Sequence, residues 1–127
     1  MSNKYKIRDN TKLYFVTFTV INWIDVFTRK IYKDLLIENI KYCQVNKGLE
    51  LYAWVLMFNH IHMIIGSNIQ SLSDIIRDMK KYTSVKLIEA IKENKSESRK
   101  QWMVPQFESA GQRNSNNLKY QFWGATR

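Results

Sequence analysis

Leu49-Glu50-Leu51-Tyr52-Ala53-Trp54-Val55-Leu56-Met57-Phe58-Asn59-His60-Ile61-His62-Met63-Ile64-Ile65 is the stretch whose reading decides the fold. From Leu49 to Met57 the chain is rich in apolar and aromatic residues. As a strand it puts Leu49, Leu51, Ala53, Val55 and Met57 on one side and Tyr52, Trp54 and Leu56 on the other, so both faces are expected to be partly covered. After Phe58-Asn59 a second strand runs from His60 to Ile65 and closes at Gly66 to Asn68. The short connection makes the two an antiparallel hairpin. Within it, His60 and His62 project from one face while Ile61 and Met63 enter the other.

Working outward from the hairpin, Leu13 to Val20 alternates strictly, with Tyr14, Val16, Phe18 and Val20 on one face, and reads as an earlier strand. Arg29 to Lys47 changes to helical spacing, with Ile31, Leu35, Leu36, Ile40 and Cys43 as its apolar stripe and Gly48 as its stop. Beyond the hairpin, Ser71 caps a long helix, with Asp74 at its positive dipole end. Its stripe is Leu72, Ile75, Ile76, Met79, Thr83, Leu87 and Ile91. Glu93 to Lys100 reads as a solvated, charged connection, followed by a short helix that Pro105 interrupts. Gly111 to Asn117 reads as a polar loop, and Leu118 to Trp123 is a candidate closing strand. The order is β-α-β-β-α with that candidate β at the end. It is an α+β, ferredoxin-like split arrangement, with an antiparallel sheet and helices on one face. The 127 residues suffice for one core, so 1–127 is expected to be a single domain.

The charge balance narrows the partner. Twenty Lys and Arg against 11 Asp and Glu give a formal charge of +9, a field suited to a polyanion, with nucleic acid first among candidates. Simple solubility is the bland alternative. No apolar run is long enough to span a bilayer and Met1 to Lys12 lacks the apolar centre of a signal peptide, so no membrane partner is expected. The single cysteine, Cys43, has no partner for a disulfide, which suits a reducing, cytoplasmic setting.

His60 and His62 are the only histidines. On one strand face they present two imidazoles to one ion, leaving coordination positions for water, an amide, a carboxylate or a phosphate oxygen. The competing reading is a pair of histidines hydrogen-bonded within a core or lining a bare sheet face. Spacing alone favours that reading.

The segment Tyr52 to Ile65, with Asn59-His60-Ile61-His62 at its heart, resembles the core signature of REP-associated tyrosine transposases and their insertion-sequence relatives, the single-tyrosine HUH transposases. Those relatives often carry proline where Phe58 stands. Tyr14 to Thr19 is similar to their first strand, and Leu72 to Ser84 to the long helix after the HUH strand. The resemblance implies a divalent metal, Mg²⁺ or Mn²⁺, at His60 and His62, and single-stranded or hairpin DNA as partner. It implies strand cleavage and transfer through a transient phosphotyrosine, and a homodimer. The chain departs from the pattern in its nucleophile. The family's tyrosine is followed four residues later by Gln or Asn; Tyr82 has Lys86 there, and Tyr120 falls in a stretch similar to the segment before the family's tyrosine helix. With four residues after Trp123, the chain is expected to stop before that helix and to be catalytically incomplete unless Tyr120 or Tyr82 substitutes or a partner chain supplies the nucleophile.

For DNA contact the sequence offers Arg77, Lys80, Lys81 and Lys86, with Arg99 and Lys100, to neutralise phosphates, and Trp54 or Tyr52 to stack on unpaired bases. The alternative function is a non-catalytic nucleic-acid-binding module on the same sheet, although no RNP1-like sequence is present. A third possibility is a metal-dependent hydrolase of the barrel amidohydrolase kind, whose site also opens with HxH; length argues against it, since that fold needs about 250 residues.

Overall fold

The computed structural model describes residues 12–114 and 119–124. The elements follow the order β1 (Tyr14–Thr19), α1 (Lys30–Asn46), β2 (Leu49–Leu56), β3 (His60–Ser67), α2 (Leu72–Glu93) and α3 (Lys100–Arg113), with two 3₁₀ turns, Ile21–Trp23 and Val26–Thr28, between β1 and α1. The result is an α+β fold with three antiparallel strands in one sheet, ordered β1-β3-β2. β3 lies in the middle. Its partners across β1 are Thr19 for His60, Thr17 for His62 and Phe15 for Ile64.

One face of the sheet carries the core. Val16 and Phe18 of β1 and Ile61, Met63 and Ile65 of β3 are buried, together with Tyr32, Leu36, Ile40 and Cys43 of α1, Leu72, Ile75, Met79, Leu87 and Ile91 of α2, and Met103 and Phe107 of α3. Each such side chain contributes about 1.5–3 kcal/mol by leaving water, so the alternation in β1 and β3 locks their register: a slip by one residue exposes the whole set. The other face carries Phe15, Thr17 and Thr19 of β1 beside Ile64, His62 and His60 of β3.

Gly48 ends α1 as its position suggests. Its φ of +80° is a left-handed conformation, and a Cβ there would sit 2.6 Å from Asn68 Oδ1 and 2.7 Å from Ile69. On α1 the stripe is rotated from the expected one. Ile31 is 51% exposed, whereas Tyr32 and Asn39 are buried. Ser71 occupies the N-cap of α2, but its side chain makes no capping bond there and instead meets the Ser73 hydroxyl.

β2 departs from strict alternation. The register steps from Leu51 opposite Ile65 to Ala53 opposite Ile64, leaving Tyr52 as an extra residue. The bulge turns the strand over. Leu49 and Leu51 face the core before it, whereas Trp54 and Leu56 take that side after it and Ala53 and Val55 join His62 on the outer side. Leu49 is buried and Leu51 and Leu56 pack against the core, whereas Tyr52, Trp54, Val55 and Met57 are exposed, so the cover expected on both faces is confined to the core side of this edge strand.

Three expectations for the second half change. Glu97, in the supposedly solvated connection, is only 5% exposed; it accepts bonds from Arg29 Nε at 2.8 Å, Tyr32 Oη at 2.8 Å and Arg99 Nε at 2.9 Å, which replace its water. Pro105 lies inside α3 without breaking it. Only the bond to the Gln101 carbonyl is forfeited, and burial of Met103, Phe107 and Ala110 along one side holds the helix. Gly111 is therefore helical, not part of a loop. Within the described part of the last segment, the closing strand reduces to one bridge between Val20 and Trp123, with Ile21 N donating to Phe122 O at 2.9 Å; 115–118 lie outside the described residues.

Candidate metal centre and nucleic-acid surface

β3 brings His60 and His62 to the outer face of the sheet with ring centroids 4.7 Å apart and planes at 74°. Each ring is held through Nδ1. The Asn59 amide nitrogen donates to the Trp23 carbonyl at 3.3 Å, which turns Oδ1 toward His60 Nδ1 at 2.7 Å. Because that oxygen only accepts, His60 Nδ1 carries the hydrogen and Nε2 carries the lone pair. His62 Nδ1 lies 2.8 Å from Thr17 Oγ1, its cross-strand neighbour, and Phe15 stacks on the ring with centroids 5.4 Å apart. The Thr17 hydroxyl can accept from His62 Nδ1, and in that tautomer both rings offer Nε2, the arrangement in which an outer hydrogen bond aims a metal-ligating imidazole.

Burial, and secondarily the neighbouring charge of His62, hold the His60 imidazole below its ordinary pKa. It is neutral near pH 7 and available as a ligand. Among the described residues no group of three or more His, Cys, Asp or Glu is arranged around a metal position. The donor set is therefore two imidazoles on a rigid strand, which fits an ion whose other positions go to water or to substrate oxygens.

The tyrosines singled out from sequence are elsewhere. Tyr82 is on α2, lining a groove against α1 with Leu35, Tyr42 and Lys81, in the helical layer on the other side of the sheet from the imidazoles. Tyr120 accepts a hydrogen bond from Lys92, on the last turn of α2, and that ammonium also sits 4.4 Å from the ring centroid. Neither tyrosine has a hydrogen bond or ring contact with either imidazole.

The four basic residues chosen on α2 do not act as one free patch. Arg77 pairs with Asp74 at 3.1 Å and Asp78 at 3.0 Å, and Lys86 lies 3.8 Å from Glu89. Lys80 is half-buried, its ammonium 4.9 Å from the Phe18 ring centroid, and burial lowers its pKa. Lys81 is exposed on the rim of the α1–α2 groove. Lys86 points about 140° round the helix from Lys81, at roughly 100° per residue. Arg99 is taken up by Glu97 and Asp25, and Lys100 donates to the Lys92 carbonyl. Among the described residues no helix is long and apolar enough to cross a membrane.

Sequence reading missed the supports of the histidine pair. Thr17 and Phe15 become neighbours of His62 only through strand pairing, which a single sequence does not display. Asn59 stood in view as the residue before His60; its acceptor geometry and position in a two-residue turn are the signal that finds it.

The family model described as Transposase IS200 like matches residues 10–120. No curated protein matches the chain.

Proposed function

The chain belongs to the IS200-like transposases, and on that premise we propose that it binds single-stranded or hairpin DNA and holds a divalent cation, Mg²⁺ or Mn²⁺, between His60 and His62. The supporting observation is the pair of Nδ1 bonds, to Asn59 and Thr17, that leaves both Nε2 atoms aimed from one face. A bound cation supplies Lewis-acid polarisation of a phosphate oxygen and neutralises charge there. The chain's own part is to hold the two imidazoles at fixed orientation and to gather the polyanion through its +9 charge. Arg77, Lys80, Lys81 and Lys86 serve that field at longer range, partly offset by their acidic partners.

Strand cleavage further requires a tyrosine hydroxyl in line with the phosphate. Tyr120 is the better placed of the two candidates, because Trp123 three residues on bridges Val20, whose amide donates to the Asn59 carbonyl beside His60. The second reading is a nucleic-acid-binding module without cleavage on the same sheet. A homodimer belongs to the same proposal: β2 is an edge strand with Tyr52, Trp54 and Val55 exposed and open to pairing.

The experiment is incubation of the chain with a labelled single-stranded hairpin, with and without Mn²⁺. Binding that strengthens with Mn²⁺ and loses that response in His60→Ala supports the proposal; a covalent adduct abolished by Tyr120→Phe adds cleavage. Binding indifferent to Mn²⁺ and to His60→Ala leaves only the second reading.

A further inference from the structure

Asn22 and Trp23, in the turn after β1, have φ of 54° and 59°. The left-handed region suits Asn but is rare for a residue as bulky as Trp. Three bonds pin the turn. Trp23 N donates to Val20 O at 3.1 Å, its carbonyl accepts from Asn59 Nδ2 at 3.3 Å, and Asn22 Nδ2 donates to Gln106 Oε1 at 3.0 Å. The indole itself is 76% exposed and has no hydrogen-bond or ring partner among the described residues. A strained backbone thus holds a large flat apolar ring out in water.

Two neighbours give that ring a context. The Asn59 side chain that fixes the Trp23 carbonyl is the same one that fixes His60, so one amide supports both the Trp23 backbone and the imidazole. Trp23 also borders an open cavity of about 400 Å³ lined by Thr19, Asn22, Arg113, Asn114 and Gln121. That volume is at the lower end of small-ligand sites. Its wall is polar, with the Asn114 and Gln121 amides bonded to one another, and carries in Arg113, which donates to Ser109, a guanidinium without a carboxylate partner among the described residues.

We propose that Trp23 and this cavity form a subsite for one unpaired nucleobase of single-stranded DNA, stacked on the indole next to the phosphate held at His60 and His62. The inference rests on the DNA-binding reading above and deepens it. Bases stack on aromatic rings whatever their identity, whereas a paired base in a duplex has no free face to offer. Arg113 at the rim takes the adjoining phosphate. The bonds at the Trp23 backbone keep this turn beside the Asn59 side chain that supports His60, so a base stacked there sets which phosphate reaches the histidine pair.

The test uses the full chain and fluorescein-labelled single-stranded oligonucleotides, measured by anisotropy, with one base removed in turn along an otherwise identical strand. Trp23→Ala is expected to weaken binding about tenfold and Trp23→Phe to restore most of it, while Trp102→Ala, an exposed indole on α3, changes little. One abasic position is expected to weaken the wild type and to have no further effect in Trp23→Ala. Unchanged affinity in Trp23→Ala, or equal loss in Trp23→Phe with native melting behaviour, overturns the subsite while leaving DNA binding intact. Failure of the wild type to bind any single strand overturns the DNA-binding reading and the subsite together.

Discussion

Asn59 Oδ1 lies 2.7 Å from His60 Nδ1 while its amide nitrogen reaches the Trp23 carbonyl. One buried side chain therefore sets both the tautomer of His60 and the pose of the neighbouring turn. Asn59→Leu removes both bonds at similar volume. It is expected to lower Mn²⁺ affinity about 10- to 100-fold, measured by calorimetric titration, with the secondary structure kept.

Thr17 plays the matching part for His62. Thr17→Val keeps the shape and deletes the hydroxyl, and is expected to weaken Mn²⁺ binding by about tenfold or more, whereas Thr17→Ser stays near wild type. Equal affinity in the valine and serine variants means that the hydroxyl does not orient the ring.

Acid sensitivity should centre on Glu97. Burial acts to raise its pKa, but bonds from the Arg99 side chain and backbone, Arg29 and Tyr32 outweigh it and bring the carboxyl down to about 2. A folded-state pKa below the unfolded one stabilises the fold above the ordinary glutamate value of 4.5, and that contribution fades as pH falls from there toward 2. Glu97→Gln removes the charge that Arg29 and Arg99 share, although Arg99 keeps Asp25, and is expected to cost about 1–3 kcal/mol. Chemical denaturation at pH 7 and pH 3 checks this: the gap between wild type and variant should shrink at the lower pH.

At Trp23 stability and binding are expected to part company. Glycine accepts φ of 59° without strain, and an exposed indole loses little packing, so Trp23→Gly is expected to stabilise the fold by roughly 1 kcal/mol or leave it unchanged. The same variant should bind single-stranded DNA less well. A thermal melt beside an anisotropy titration reads both, and a variant that is clearly less stable contradicts the assignment of strain.

Much of this was legible in the residues. Strict alternation in β1 and β3 placed Val16, Phe18, Ile61 and Met63 inside and the two histidines together outside, because a period of two leaves no other way to bury the apolar set. The bulge at Tyr52 was not legible, since an extra residue in an apolar run changes no composition. Glu97 looked solvated because its partners Arg29 and Tyr32 lie 68 and 65 residues away in the chain. Pro105 looked like a break because the packing of Phe107 and Met103 that overrides it is tertiary. For the site, the ligand pair was visible and its supports were not: Thr17 meets His62 across 45 residues, through strand pairing alone.

The most direct measurement is Mn²⁺ titration of the metal-free chain followed by electron paramagnetic resonance, in wild type, His60→Ala and His62→Ala. One bound ion per chain in the wild type, lost in each single variant while circular dichroism remains unchanged, is the expected outcome. Free-ion signal in the wild type matching that of both variants would mean that the two imidazoles share a face without sharing a metal.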